Sequence, residues 1–407
     1  MQNKNIINLL KLQGKNVILD DLAINLKNNT ANIYIHKRIT SCSCPSCKAT
    51  TSNIHDYRNQ RIKHISYGGY ETFLILKKAR LICPNCGKKF YYNYNDIVNP
   101  KFRCSNELFN KIIDELKNTS MTVKEVAKSN FVSPGVVNRY LKFFSYLMQW
   151  NNVDTLPERI GIDEFKGNCN KSKYLFHIYD LDSGNTIEIL ETRKFEDIVS
   201  FFNRVSNRNN IKLVTMDLYD PFRNAVKAKL KKAIIVADRF HYTRIVGNAL
   251  DQLRIDIWRN CKGKEKKYFK NLKKCLLADI EKVPKERVNK IQEKLNYAFE
   301  FSPELKYAYE LYQSFLRIKD GEDYTERAKR FSDWLNDALS STLKEFESAA
   351  NTLLRWHKEI LNSLNTSYTN SSTEGKNNKI KVIKRIAYGY RNLINFTNRI
   401  KLRDCKI

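Results

Sequence analysis

Two Cys-x-x-Cys knuckles, Cys44-Pro-Ser-Cys47 and Cys83-Pro-Asn-Cys86, constrain the front of this chain more tightly than any other feature. Two close pairs of thiolates suit one tetrahedral zinc ion. The proline inside each knuckle, and Gly87 after the second, fit the tight turns that bring two sulfurs onto one ion. The stretch from Cys47 to Cys83 is longer than a common zinc-finger spacing, so strand hairpins are expected to fill it, giving a zinc ribbon over residues 41–100. Cys42 is a surplus thiol. Ahead of the ribbon, residues 1–40 read as a short apolar helix and an alternating strand marked by Ala31, Ile33 and Ile35.

Charge bounds the partner. Among 407 residues, 72 Lys and Arg face 43 Asp and Glu, a formal net charge of +29. Such a surplus points to a polyanion, and nucleic acid is the natural one. A membrane would attract the same charge, but no apolar run approaches the roughly 18 residues a span needs. The opening MQNKNIINLLKLQGKNVILDDL lacks the apolar core and cleavage site of a secretory signal, so a cytoplasmic, nucleoid-associated chain with reduced thiols is expected. His55 and His64 could be metal ligands, yet they read better as solvated or DNA-facing strand residues.

Residues 101–150 change to helical periodicity. ELFNKIIDELKN is followed by a helix opened by a Thr122/Glu125 capping box, a break near Asn130, and a helix opened by Ser133-Pro134. Two short helices across a tight turn form a helix-turn-helix, whose second helix would bring Asn138 and Arg139 to DNA. Beyond a polar linker, residues 158–245 give three antiparallel strands with a turn at Asp182-Ser183-Gly184, then alternating helix and strand. This is the order of a ribonuclease-H-like α/β core. Residues 246–360 read as an all-helical insertion, with Trp258, Trp334 and Trp356 as core anchors. Residues 361–407 return to the core and place Glu374 at the start of a final helix capped by Ser372 or Thr373. The whole is a multidomain α+β chain.

Asp163 lies in the first core strand and Asp217 ends the fourth, neighbours in such a sheet. Acids at strand ends are ordinarily solvated turn residues. With a glutamate from a helix packed on the strands, however, two aspartates make an oxygen cage for two Mg²⁺ ions about 4 Å apart, the arrangement that serves phosphodiester transfer. On helical spacing Glu374, Asn378, Lys381 and Arg385 share one face, the acid toward the metals and the others toward a DNA backbone. Glu164 points to the opposite face from Asp163. His241 has no His or acid partner at ligand spacing, and Asp238 could be a fourth acid or a structural ion pair with Arg239 or another neighbour.

The strings IGIDEF, TMDLYDPFRNAV, VADRFHYTRIVGNAL and TEGKNNKIKVIKRIAYGYRN follow the knuckles and the helix pair in this order. Together they resemble the bacterial insertion-sequence transposases of the ISL-three family, over nearly the whole chain. The resemblance extends to SPELKYAYELYQSF and WLNDALSSTL, and the string around Glu374 is its most specific part. It implies a DDE transposase with catalytic, Mg²⁺- or Mn²⁺-binding Asp163, Asp217 and Glu374, two ions per site. It also implies one structural Zn²⁺ on Cys44, Cys47, Cys83 and Cys86. The expected substrates are double-stranded element ends and target DNA, with terminal inverted repeats recognised, cleaved and joined. Two ends joined together call for a homodimer on DNA. Asp238 and His241 fall in a recurrent string to which chemistry assigns no role. The competing readings are a domesticated transposase acting as a DNA-binding regulator and a structure-selective nuclease of ribonuclease-H-like fold.

Overall fold

A computed structural model describes residues 2–150, 152–169, 172–369, 371–390 and 392–405, without the side chains of residues 2–4, 168–169, 371–374 and 376–377. The chain divides into two compact units, Met1–Asn151 with Val382–Ile407, and Asn152–Lys381.

The first unit opens with helix α1 (Gln2–Leu9), then β1 (Val17–Asn25) and β2 (Thr30–Lys37) as an antiparallel pair. The short pair β3 (Cys42–Ser43) and β4 (Thr50–Thr51) carries the first knuckle. Strands β5 (Ile54–Lys63), β6 (Glu71–Ile82) and β7 (Lys89–Tyr91) complete a sheet in which β6 pairs with β2 in parallel and with β5 and β7 antiparallel. Alternation decides which face is buried: Ala31, Ile33 and Ile35 of β2 and Leu74 and Leu76 of β6 point inward, against Leu10, Leu12 and Ile97. His64 corrects the solvated reading. It is buried, with Nδ1 bonded to Ser105 Oγ at 2.7 Å and Nε2 to the Leu10 carbonyl at 3.0 Å.

Helices α2 (Asn106–Lys117), α3 (Val123–Ser129) and α4 (Pro134–Leu147) follow. The capping box is formed: Thr122 Oγ1 accepts from the Glu125 N–H, and Glu125 accepts from the Thr122 N–H. Ser133 stands at the N-cap of α4 as expected, but its side chain makes no capping bond. Phe131, at φ 53°, takes the left-handed conformation that reverses the chain between α3 and α4. Leu108, Ile112, Val126, Val137, Leu141 and Phe144 pack together inside the three helices.

The second unit is built on β8 (Arg159–Cys169), β9 (Ser172–Asp180) and β10 (Thr186–Leu190), then α5 (Phe195–Arg204), β11 (Leu213–Met216), α6 (Asp220–Lys229), β12 (Ile234–Ala237) and α7 (Arg239–Asn260). The sheet order is β10-β9-β8-β11-β12, with β8 antiparallel to β9 and parallel to β11, and β11 parallel to β12. Gly161 is required where the strands meet, since a Cβ there would stand 1.9 Å from the Tyr179 ring. Helices α8 (Gly263–Asn271), α9 (Lys273–Leu276), α10 (Lys285–Phe301), α11 (Pro303–Arg317), α12 (Tyr324–Ser340), α13 (Lys344–Arg355) and α14 (His357–Leu364) complete the helical part.

That part is not separate from the sheet. The boundary expected at residue 245/246 falls inside the continuous 22-residue α7. One hydrophobic cluster runs from Ile160 and Val214 of the sheet to Trp334 and Trp356 of the helices. Trp334 donates its Nε1–H to the Leu311 carbonyl at 2.8 Å, which satisfies the indole as it is buried. Asn362 of α14 donates to the Ile235 carbonyl of β12 at 2.8 Å, so the helical run already returns to the sheet at α14.

Helix α15 (Ser371–Ile386) begins at Ser371, upstream of the expected Glu374 start, and it is not the last helix. The C-terminal helix α16 (Leu393–Asp404) belongs to the first unit and packs on α2 and α4. Residues 361–407 are therefore shared between both units rather than being the tail of the core. Arg399 of α16 donates to the carbonyls of Asn118 and Met121, each at 2.8 Å, and Asn398 Nδ2 to Ser145 Oγ at 3.1 Å.

Candidate metal centres and acid cluster

The two knuckles converge. Cys44 Sγ lies 3.6 Å from Cys86 Sγ, Cys47 Sγ lies 3.5 Å from Cys83 Sγ, and all four sulfurs are within 4.8 Å of one another. A tetrahedron with Zn–S bonds near 2.3 Å has edges of about 3.8 Å, so these thiols fit a zinc ion. Each knuckle closes through a residue of positive φ, Lys48 at 64° and Gly87 at 71°. The N–H of Lys48 then donates to the Cys44 carbonyl, and that of Gly87 to the Cys83 carbonyl. The N–H of Ala49 holds the Cys47 thiol down at about 6, and the N–H of Cys47 lowers that of Cys44. Cys44 and Cys47 are thus prepared to bind as thiolates, whereas Cys86, despite the Lys88 N–H beside it, is pushed up to about 12 by its bonds to the other cysteines, a rise that a shared cation reverses. Cys42 lies outside the set.

The acids meet through strand register. Thr215 of β11 pairs with Gly161 of β8, and Met216 with Ala237 of β12. Two residues on from the first pair, and one on from the second, Asp217 has Asp163 on one side and Asp238 on the other. Parallel strands bring their carboxyl ends to one edge: Asp217 and Asp238 directly follow β11 and β12 there, and Asp163 lies level with them within the longer β8. Burial pushes the Asp217 carboxyl up to about 8, assisted by the charges of Asp163, Asp238 and Glu164. Three aspartates converging on a half-enclosed site is a costly arrangement that a cation relieves. Glu164 is turned to Arg193, whose guanidinium lies 4.4 Å from the Tyr174 ring centre and 4.9 Å from that of Tyr219.

His241, in the first turn of α7, closes the ring. Its Nε2 lies 3.1 Å from Asp217 Oδ2 and 3.9 Å from Asp238 Oδ2. This corrects the expectation that it has no acid partner: its ligand atom and those of Asp217 and Asp238 lie within 4.8 Å. The partner comes from another strand, where sequence spacing along one helix does not look. Arg244 Nη2 stands 3.3 Å from Nδ1 of His241. A guanidinium only donates, so Nδ1 accepts and Nε2 carries the proton toward Asp217. Burial, then the Arg244 charge, holds the imidazole down at about 4, so it stays neutral at pH 7. Nothing in the sequence separates Arg193 and Arg244 from the other basic residues.

The backbone of Glu374 lies in α15, while its side chain is outside the described residues. Farther along that helix Asn378, Lys381 and Arg385 are exposed, while Ile380 and Ile383 are buried. In α4, Arg139 is exposed and Asn138 half-buried.

Comparison with known proteins decides the family. Residues 160–400 match a family model described as Transposase, of the ISL3 type, and this is more than half of the chain. The chain belongs to the ISL3 family of transposases. Residues 40–86, which span all four converging cysteines, match a model described as the zinc-finger of transposase IS204/IS1001/IS1096/IS1165. The transposase is 23% identical over 398 residues to the "Transposase for insertion sequence element IS1001" of Bordetella parapertussis, a match covering 91% of each chain. A shorter stretch of 102 residues, 25% of this chain and 31% of its relative, is 36% identical to a Lactococcus lactis subsp. lactis protein named "ATP-dependent protease". No helix among the described residues is long and apolar enough to cross a membrane.

Proposed function

We propose that this transposase binds the terminal inverted repeats of its insertion sequence, cleaves the DNA there and joins the 3′ ends to target DNA. The observation that carries the reading is the row formed by Asp163 within β8 and by Asp217 and Asp238 just past the ends of β11 and β12, on a sheet ordered as in a ribonuclease-H-like core. Asp163, Asp217 and Glu374 would hold two Mg²⁺ or Mn²⁺ ions, which when bound polarise the scissile phosphate and lower the barrier to attack in line. The converging, mutually repelling carboxylates fit such hard cations. Neutral His241 donates its Nε2–H to Asp217 and so fixes the orientation of that carboxylate; Arg244 fixes the imidazole in turn. Arg193 keeps Glu164 out of the cluster.

Sequence recognition is assigned to the first unit. A structural Zn²⁺ on Cys44, Cys47, Cys83 and Cys86 sets the ribbon, and α3 and α4 act as a helix-turn-helix that offers Asn138 and Arg139 to the major groove. Asn378, Lys381 and Arg385 of α15 are assigned to the DNA backbone. Two ends joined in one reaction call for a homodimer on DNA.

Incubation of purified protein with duplexes carrying the element's ends tests this. Cleavage that requires Mg²⁺ or Mn²⁺, and that is lost in Asp217→Asn and Asp163→Asn, is expected. Retained cleavage by Asp217→Asn would overturn the reading.

A further inference from the structure

The first turn of α7 serves a second place besides the acid cluster. Asp238 and His241 face the aspartates, whereas Arg239, Tyr242 and Thr243, at i, i+3 and i+4, line a cavity of about 390 Å³ on another face of the helix. The cavity lies wholly within the second unit. Its inner wall is apolar and aromatic, with Tyr242, Phe315 and Phe331 almost fully buried, and Lys282 and Lys319 stand with Arg239 around it. Asp279, the one acid lining it among the described residues, is already held by Lys282 at 3.1 Å and by Arg317, and Lys319 is paired with Asp320 at 2.8 Å. Arg239 differs from the lysines. Its Nε is buried and has no hydrogen-bond partner among the described residues. A buried guanidinium nitrogen without an acceptor, beside an aromatic wall, calls for a ligand that is flat and apolar at one end and anionic at the other.

We infer that this cavity receives the base of a nucleotide next to the scissile phosphate, unstacked from the duplex, with Arg239 on its phosphate. The inference rests on the proposed cleavage reaction and names a subsite of it. Position selects the occupant. Arg239 directly follows Asp238 in the chain, about 3.8 Å away at Cα, and successive nucleotides of a strand rise only about 3.4 Å along the duplex. A strand whose phosphate lies at the aspartates therefore has a neighbouring nucleotide within reach of the cavity mouth. The volume lies in the range of small-molecule sites. Aromatic and apolar walls are what an unstacked base needs to replace the stacking it gives up. A free nucleotide shares this chemistry, and the experiment separates the two.

End duplexes with 5-iododeoxyuridine at single positions on either side of the cleavage site are bound in Ca²⁺, irradiated, and the crosslinked peptides mapped. One position is expected to crosslink to the segments bearing Tyr242, Phe315 or Phe331. Thr243→Trp, which fills the cavity from a half-buried position, is expected to slow cleavage in Mg²⁺ at least tenfold. An abasic nucleotide at the crosslinking position should restore most of that loss, because no base then has to enter; Arg239→Gln should not be rescued in this way. Thermal unfolding of each variant checks that it is folded. Crosslinks from all flanking positions that map only elsewhere, in a preparation that cleaves ends, overturn the inference and leave the proposed reaction standing. Protection of the cavity segments by free deoxynucleotides without any crosslink from DNA also overturns it. A wild-type protein that cuts no end in Mg²⁺ removes the reaction itself, and the subsite with it.

Discussion

At the scale of single residues, two histidines show how burial and partners determine what an imidazole can do. His241 is kept neutral and oriented by Arg244, with its donor atom on Asp217. Groups that orient metal-binding carboxylates are typically worth on the order of 10–100-fold in activity. His241→Ala should lower end cleavage by about that factor, while His241→Gln, whose amide can still donate, should lose less. Equal rates for wild type and His241→Ala would remove its positioning role. His64 is buried between Ser105 and the Leu10 carbonyl, and burial, only partly offset by the bond to that carbonyl, pushes it down to about 4. An unfolded chain protonates this histidine near pH 6.5, so between about 6.5 and 4 the unfolded state binds more protons. Its contribution is therefore intact above pH 6.5 and falls away as pH drops toward 4, by about 3 kcal/mol at most. Thermal unfolding followed from pH 7.5 to 4.5 should show a shallower pH dependence in His64→Gln than in wild type; parallel curves would mean that His64 titrates alike in both states.

At the scale of elements, local signals are legible in the sequence and long-range ones are not. The capping box of α3, the alternation of β2 and the strand order around Asp217 are written in residues that lie close together, and each is present in the structure. The burial of His64 depends on partners 41 and 54 residues away, and the contact of His241 with Asp217 on a neighbouring strand. Periodicity says that a face of α16 is buried but not against what, so its return to α2 and α4 was not legible. The cysteines were, because ligand spacing is a local signal with a strict chemical meaning. Their role is testable at this scale. Without a metal, four sulfurs within 4.8 Å of one another lose the bond that holds both knuckles, and β3, β4 and the ends of β6 and β7 lose their tie. Zinc removal by chelation should weaken end binding at least tenfold in fluorescence anisotropy while the thermal transition of the second unit stays in place. Unchanged affinity after metal analysis has verified the loss of zinc would detach the ribbon from DNA recognition.

At the scale of the whole molecule, the chain closes on itself: the first unit is made of both termini, and the second is inserted between them. The three-helix cluster of α2, α3 and α4 takes Leu402 of α16 into its core, where it is fully buried. Arg399 meanwhile satisfies the carbonyls of Asn118 and Met121 in the turn that leads into α3. Losing a buried leucine from a packed core costs about 2–5 kcal/mol. Losing the partner of a buried polar group costs about 1–3 kcal/mol more. These sums are comparable with the whole stability of a small domain, about 5–15 kcal/mol. A chain truncated after Asn392 should therefore expose α2–α4 to proteolysis and lower the unfolding midpoint of the first unit, although those helices lie some 250 residues upstream in sequence. The second unit keeps its own continuous core and should retain its transition. Leu402→Ala and Arg399→Ala separate the two contributions, each producing a fraction of the truncation's shift. Calorimetry and limited proteolysis check this together. A truncated chain whose α2–α4 segment resists protease as well as the full chain does would show that α16 lies on the first unit without holding it.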